Sequence, residues 1–193
     1  MADGVPSGSS RQSDPVVERF GSAGTQTLVR APTNESPFAA LPERAYDNLL
    51  VVAARDHPRK IAQRLERDGH DPADVGVVPV TPTAAEYDGD LWTTDHVRPG
   101  DLTGVGMRFS DAVGHLEPGR GWVFVDALGV FLMYADESRV SRFFQTLTNR
   151  VRARDLRGVY CVSPGAVATE TYERLRSVCD RERDVGRGAG DGA

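Results

Sequence analysis

Short runs of β-branched and aliphatic residues recur along this chain, separated by segments whose apolar residues repeat at helical spacing. "NLLVVAA" (48–54), "VGVVPV" (75–80), "GWVFVDAL" (121–128) and "GVYCVSP" (158–164) are apolar almost throughout, and "TQTLVR" (25–30) is a weaker first member. A strand that is continuously apolar is buried on both faces, the condition of a parallel sheet covered by helices. The intervening segments fit that arrangement. "RDHPRKIAQRLERDG" puts Pro58 early in a helix, Ile61 and Leu65 four apart, and Gly69 at the stop. Leu102, Val105, Phe109, Val113 and Leu116 keep helical spacing despite intervening glycines. Val140, Phe143, Phe144, Leu147 and Val151 form one stripe, with Asp136 and Glu137 at its start and Arg150, Arg152 and Arg154 near its end, as the helix dipole favours. "TETYERLRSVC" carries Tyr172, Leu175 and Val178 on a last helix. The alternation predicts an α/β domain with a mainly parallel sheet of about five strands.

With 193 residues the chain suits one domain, since domains usually run to roughly 100–200 residues. Residues 1–24, rich in Gly, Ser and Asp, predict a disordered tail, as does "RERDVGRGAGDGA" (181–193), leaving 25–180 as the folded unit. The stretch 81–100 carries turn residues throughout and predicts an irregular connection. The 28 acidic residues exceed the 23 basic ones, and the net charge of −5 argues against broad attraction to nucleic acid or an anionic membrane. Only Lys60 among the bases is a lysine, a bias that fits a high-GC genome and a salt-rich cytoplasm. No basic-then-apolar leader is present and no stretch approaches the roughly 18 apolar residues of a membrane span, so the expectation is a soluble cytoplasmic protein. Cys161 and Cys179 lack C-x-x-C spacing and predict reduced, buried thiols. His57, His70, His96 and His115 show no H-x-x-x-H spacing, so no metal and no other cofactor is expected. Without a G-x-S-x-G elbow, Ser163 before Pro164-Gly165 predicts a turn.

Asp126 ends the apolar run 121–128. In nucleotide-hydrolysing enzymes an aspartate at such a place helps hold Mg²⁺ beside a phosphate-binding loop, yet no G-x-x-x-x-G-K-[ST] occurs in the chain. One alternative placement is "ARDHPRKI", where Lys60 closes a six-residue interval from Ala54. There Arg59 stands where the second glycine must let the backbone approach phosphate, and Ile61 replaces the hydroxyl.

From about residue 25 to 180 the order of elements resembles the RecA/KaiC-type ATPase core, and within it a branch from halophilic archaea that has lost the nucleotide chemistry. "DNLLVVAARDHPRKIAQRLERDGHDPADVGVVPV" is similar to its second strand, acidic turn, helix and third strand. "GDLTGVGMRFSDAVGHLEPGRGWVFVDALGVFLMYADESRVSRFFQTLTNRVRA" is similar to the helix, Walker-B strand and following helix. The resemblance implies a RecA-like three-layer sandwich and puts the phosphate loop at "APTNESPF" (31–38), with Ala31 and Ser36 at the glycines, Pro37 at the lysine and Phe38 at the metal-binding hydroxyl. Pro37 lacks an N–H as well as the cation, and Phe38 cannot ligate a metal. The adjacent catalytic glutamates of active members correspond to Arg55-Asp56, and the Walker-B aspartate to Asp126. Asp56 is expected either to polarise water or to cap the following helix, and Asp126 either to hold a metal or to accept from neighbouring N–H groups. In the terminal loop, where the archaeal branch commonly has an acid and a histidine, this chain has Ser163 and Val167.

These readings lead to a non-catalytic regulatory or interaction module in signal transduction, working with an unidentified protein partner. A second expectation is residual nucleotide binding or slow ATP hydrolysis through Thr33, Asn34, Ser36, Asp56 and Asp126. A third is binding of nucleic acid or an acidic partner through Arg139, Arg142, Arg150, Arg152, Arg154 and Arg157, against which stands the plain reading of a solvated helix face. Trp92 and the glycine-rich helix at 101–116 are candidates for apolar contact surface. Losing the nucleotide removes the cement of a ring, so a monomer or small dimer is expected.

Overall fold

The computed structural model describes residues 15–32, 36–83, 86–163 and 165–185. The apolar runs form β1 (Gln26–Arg30), β2 (Leu49–Ala53), β3 (Val75–Pro79), β5 (Trp122–Val125) and β6 (Arg157–Val162), and β4 (Trp92–Thr93) and β7 (Arg181–Asp184) add the two edges. The seven strands run in the order β4-β3-β2-β5-β6-β1-β7, every neighbouring pair parallel. Around the sheet lie α1 (Pro15–Phe20), α2 (Pro58–Asp68), α3 (Leu102–Ala112), α4 (Leu128–Tyr134), α5 (Glu137–Ala153) and α6 (Thr169–Ser177). None of these helices is long and apolar enough to cross a membrane.

Successive strand residues point to opposite faces, so each run feeds two cores. Leu50, Val52, Val123, Val125 and Tyr160 pack with Phe109 of α3 and with Phe144, Leu147 and Val151 of α5. Leu49, Val51, Ala53, Trp122 and Phe124 pack with Ile61 and Leu65 of α2 and with Phe20 of α1. Helices on both faces make three layers, as expected. The α2 boundaries follow from local chemistry: His57 is the N-cap, Pro58 opens the first turn, and Gly69 closes the helix at φ 84°.

Several elements depart from the sequence expectation. The segment 181–193, assigned to a tail, begins with β7, and the segment 1–24 contains α1. β7 has no apolar signature to read, and α1 is a six-residue helix anchored in the core mainly by one residue, Phe20, 5.4 Å from the Trp122 ring. β7 pairs with β1, Arg181 donates to the Glu18 carbonyl (2.7 Å), and Arg183 donates to the Arg19 carbonyl (3.1 Å). The segment 81–100, assigned as irregular, contributes β4, and Val80 bridges to Val97 beside it. The run 121–128 leaves the sheet at Val125, and α4 starts at Leu128.

One polar knot lies within the sheet. The Gln26 side chain is fully buried; its NH₂ donates to the Gly24 and Leu156 carbonyls (2.8 and 3.2 Å), and its oxygen accepts from the Tyr160 hydroxyl. Gly158, facing Gln26 across the β1–β6 pair, leaves the space this knot occupies: a Cβ there would collide with both Gln26 Oε1 and Tyr160 Oη. Gly158→Ala is therefore expected to cost about 1–3 kcal/mol by overpacking. Gly114→Ala, where nothing lies within 4 Å of an added Cβ, should not destabilise. Urea unfolding of the two variants checks the contrast.

Candidate functional site

In a parallel α/β sheet the strand C-termini and the loops that follow them form the natural ligand edge. Because β5 lies beside β2, Asp126, one residue past β5, faces the turn that leaves β2. Its carboxylate accepts from three successive backbone N–H groups: Ala54 (2.7 Å), Arg55 (3.2 and 3.0 Å) and Asp56 (3.2 Å). Three N–H groups converging on one point make an anion cradle, and here the anion is the protein's own side chain. Asp126 is 2 % exposed. Burial pushes its pKa up to about 6, the three N–H donors pull it down, and neighbouring Asp56 adds to the rise.

Asp56, also buried, does not cap α2 as one of the sequence readings expects. His57 takes that role, its ring nitrogen accepting from Arg59 N–H (3.2 Å), while Asp56 pairs with Lys60 Nζ at 2.6 Å, one turn along. Lys60 is thereby neutralised by a carboxylate and Ile61 is wholly buried in the core, so "ARDHPRKI" has neither a free cation nor free N–H groups at 54–56.

At the other end of the candidate site, Thr33 and Asn34 lie outside the described residues. Ser36 is half-buried, its hydroxyl accepting from Arg64 Nη1 at 2.5 Å. Pro37 and Phe38 are buried in a 3-10 turn, Pro37–Ala40, with no α-helix among the described residues between β1 and β2. The Phe38 ring lies 4.9 Å from that of Phe124 on β5, and the Arg64 guanidinium sits 5.4 Å over its other side. The Tyr46 hydroxyl bonds the Phe38 carbonyl at 3.2 Å. Phe38, which the resemblance sets at the metal-ligand position of the loop, is thus a core side chain.

Sequence reasoning missed a neighbouring hollow of about 260 Å³, lined by Arg30, Gly165, Val167, Thr169, Tyr172 and Glu173. Arg30 ends β1, pairs with Asp184 (3.4 Å) and lies over the Tyr172 ring, while the Tyr172 hydroxyl bonds Glu182. The arginine at the end of the first strand was the available signal, but its partners come from β7, which has no apolar pattern. Ser163 opens a turn, its carbonyl accepting from Ala166 N–H, as expected. The histidines take structural contacts: His70 stacks on Tyr46 and His115 lies against Trp92. Cys161 and Cys179 are free thiols, and burial pushes both pKa values up, Cys179 to about 12. Among the described residues, no group of three or more His, Cys, Asp or Glu side chains is placed to hold a metal.

The six arginines at and after α5 do not form one surface. Arg152 binds Asp180 (3.2 Å), Arg154 donates to the Gly114 and Leu116 carbonyls (3.2 and 3.4 Å), and Arg157 donates to Gly21 and Gly119 carbonyls and lies over Trp122. Arg154, expected at an interaction surface, instead fastens the end of the α3 segment. Arg139, Arg142 and Arg150 are exposed. Trp92 is 44 % exposed, its ring packed on Gly76 and 5.3 Å from His115, which makes it an edge cover as well as a surface residue.

Three outcomes follow. Asp126→Asn replaces one acceptor oxygen by NH₂ facing backbone donors and should cost about 1–3 kcal/mol near neutral pH. Because the folded-state pKa of about 6 lies above the ordinary carboxylate value of 3.8, the native state holds the extra proton between these values. The proton-linked part of the Asp126 contribution to stability is therefore full below about pH 4 and is lost as pH rises through about 6, leaving at neutral pH the hydrogen bonds that Asn would disrupt. Urea unfolding across that window should show this fall in the wild type and not in Asp126→Asn. Phe38→Ala should cost about 3–5 kcal/mol, as for a buried aromatic, whereas a loop residue would cost almost nothing.

Among solved structures, the chain is similar to the KaiC-like protein PH0186 of the hyperthermophilic archaeon Pyrococcus horikoshii OT3, at 10 % identity and a TM-score of 0.58, covering 84 % of this chain and 72 % of that one. It is also similar to PH0250 from Pyrococcus horikoshii OT3, at 14 % identity and a TM-score of 0.60, covering 90 % and 87 %. At such identities the likeness shows the fold, which is RecA-like. No curated protein matches the chain. Residues 24–182 match the model of a family of unknown function, DUF7504, and the chain belongs to that family.

Proposed function

We propose that this chain is a non-catalytic RecA/KaiC-like module that works in the cytoplasm by regulating or binding another protein, within a signal-transduction system. The observation that carries the reading is the fate of the Asp126 carboxylate. Both of its oxygens accept from the N–H groups of residues 54–56, so the group that would face a metal is turned into the staple of a backbone turn. Two further features support it. Phe38 fills the position of the metal-binding hydroxyl with a ring packed on Phe124, and Pro37, buried beside it, brings neither an N–H nor a cation to a phosphate. Asp56, the remaining acid of the turn after β2, is held by Lys60. Against a nucleic-acid role, Arg152, Arg154 and Arg157 are engaged by the protein's own acceptors, which leaves a smaller basic surface than the sequence suggests.

A ligand that binds only the native state raises the melting temperature, so Mg²⁺–ATP is a direct probe. Millimolar Mg²⁺–ATP or Mg²⁺–ADP is expected to leave the melting temperature unchanged, and no phosphate should be released. Light scattering at high salt should give a monomer or small dimer with and without the nucleotide. Hydrolysis lost in Asp126→Asn, or nucleotide-driven growth to a ring, would overturn the reading in favour of a residual ATPase.

A further inference from the structure

On the face opposite α2, a groove of about 360 Å³ runs between α3 and α5, lined by Gly106, Met107, Phe109, Phe143, Leu147 and Arg150 among others. Gly106 contributes no side chain, and the space above it borders the Phe143 ring, which is steadied from behind by Phe131 at 5.4 Å. Met107 on the α3 side is 64 % exposed. Just before α3, Tyr134, 50 % exposed, lies against Gly100. Isolated exposed apolar residues need no explanation, but exposed residues grouped around one groove mark a contact surface.

The charge around this groove is mainly positive: Asp111, on the α3 side, is the one acid in its lining, against three exposed arginines of α5. Arg139, Phe143, Thr146 and Arg150 recur at helical spacing along α5 and share a stripe at its rim, with Arg142 one step outward. Other arginines of the chain are matched by acids: Arg108 with Asp95, Arg152 with Asp180, Arg174 with Glu137 and Arg176 with Glu182. Among the described residues no carboxylate pairs with Arg139, Arg142 or Arg150. In a chain with more acids than bases, a row of unmatched cations along an apolar groove is complementary to a segment that is apolar on one face and acidic beside it. From Arg139 to Arg150 the stripe is about 16 Å long at 1.5 Å per residue, room for about three turns of a partner helix.

We propose that the α3–α5 groove docks an acidic amphipathic helix of a protein partner, its apolar side chains on Met107 and Phe143 and its carboxylates on Arg139, Arg142 and Arg150. The proposal rests on the interaction-module reading above and names the surface that serves it. Duplex nucleic acid fits less well, since the floor of the groove is apolar and offers a phosphate backbone no second row of cations.

The test uses the full chain without nucleotide and two fluorescein-labelled helical peptides. Both carry leucines at i, i+3, i+4 and i+7; one has glutamates on its flanks, the other lysines. Fluorescence anisotropy should show binding of the glutamate peptide alone, weakening as salt rises. Met107→Glu on α3, and separately Arg139→Glu with Arg150→Glu on α5, should each weaken it at least about tenfold with the melting temperature unchanged. All three sites are exposed, so both variants should fold; the milder Met107→Gln and Arg139→Gln should show the same order of effect. Equal binding of both peptides, binding of neither, tighter binding of labelled duplex DNA, or a Met107-dependent dimer in light scattering would each overturn the proposal. Failure of the peptide with Mg²⁺–ATP still inert would remove the groove and leave the non-catalytic reading standing, whereas ATP hydrolysis would remove that reading without touching a positive peptide result.

Discussion

The three hydrogen bonds from Ala54, Arg55 and Asp56 to the Asp126 carboxylate hold together the edge of the sheet where chemistry would occur. They join the end of β5 to the end of β2 and set the path of the turn into α2. They also fix what that turn can do. A set of converging N–H groups attracts whatever anion reaches it first, and a carboxylate carried on the adjacent strand is at very high effective concentration. An external phosphate would have to displace it and leave a nearly wholly buried acid without partners, which is costly in a low-dielectric interior. Asp56 is drawn into the same arrangement through Lys60, so the acids of the edge are committed to structure.

The first crossover completes the picture from the other side. A phosphate loop needs backbone that is open to a ligand and a helix that starts behind it. Among the described residues between β1 and β2 there are only short 3-10 turns, Pro37–Ala40 and Glu43–Ala45, which lay Phe38, Ala40 and Ala45 onto the same core as Phe124 and Ile61. The space behind the loop is therefore apolar packing, with Arg64 closing it by a contact over Phe38 and a hydrogen bond to Ser36. A scaffold of this kind retains the rigidity of the fold while its ligand edge is occupied by the protein itself. The arginines divide: those near the α5 C-terminus close the fold through Asp180 and main-chain carbonyls, and those along the outer stripe stay open beside an apolar groove.

Residue order alone carried the layered α/β architecture, the five inner strands and the principal helices, because each inner strand is buried on both faces and each long helix on one, and burial dictates residue type at every position. It also carried the absence of any G-x-x-x-x-G-K-[ST] segment, while the burial of Pro37 and Phe38 is a fact of the tertiary structure. The strands at the two edges were illegible for the opposite reason: β4 and β7 are held by backbone pairing, and β7 also by Arg181 and Arg183 on distant carbonyls, so their sequences, WT and RERD, carry no apolar run. The partner of Asp126, the capping of α2 by His57 rather than Asp56, and the separation of buried from open arginines depend on which strand lies beside which, a property of topology. Asp126 and Ala54 are brought within 2.7 Å because β5 inserts next to β2. That adjacency links residues 72 positions apart, and no local pattern of residues encodes it.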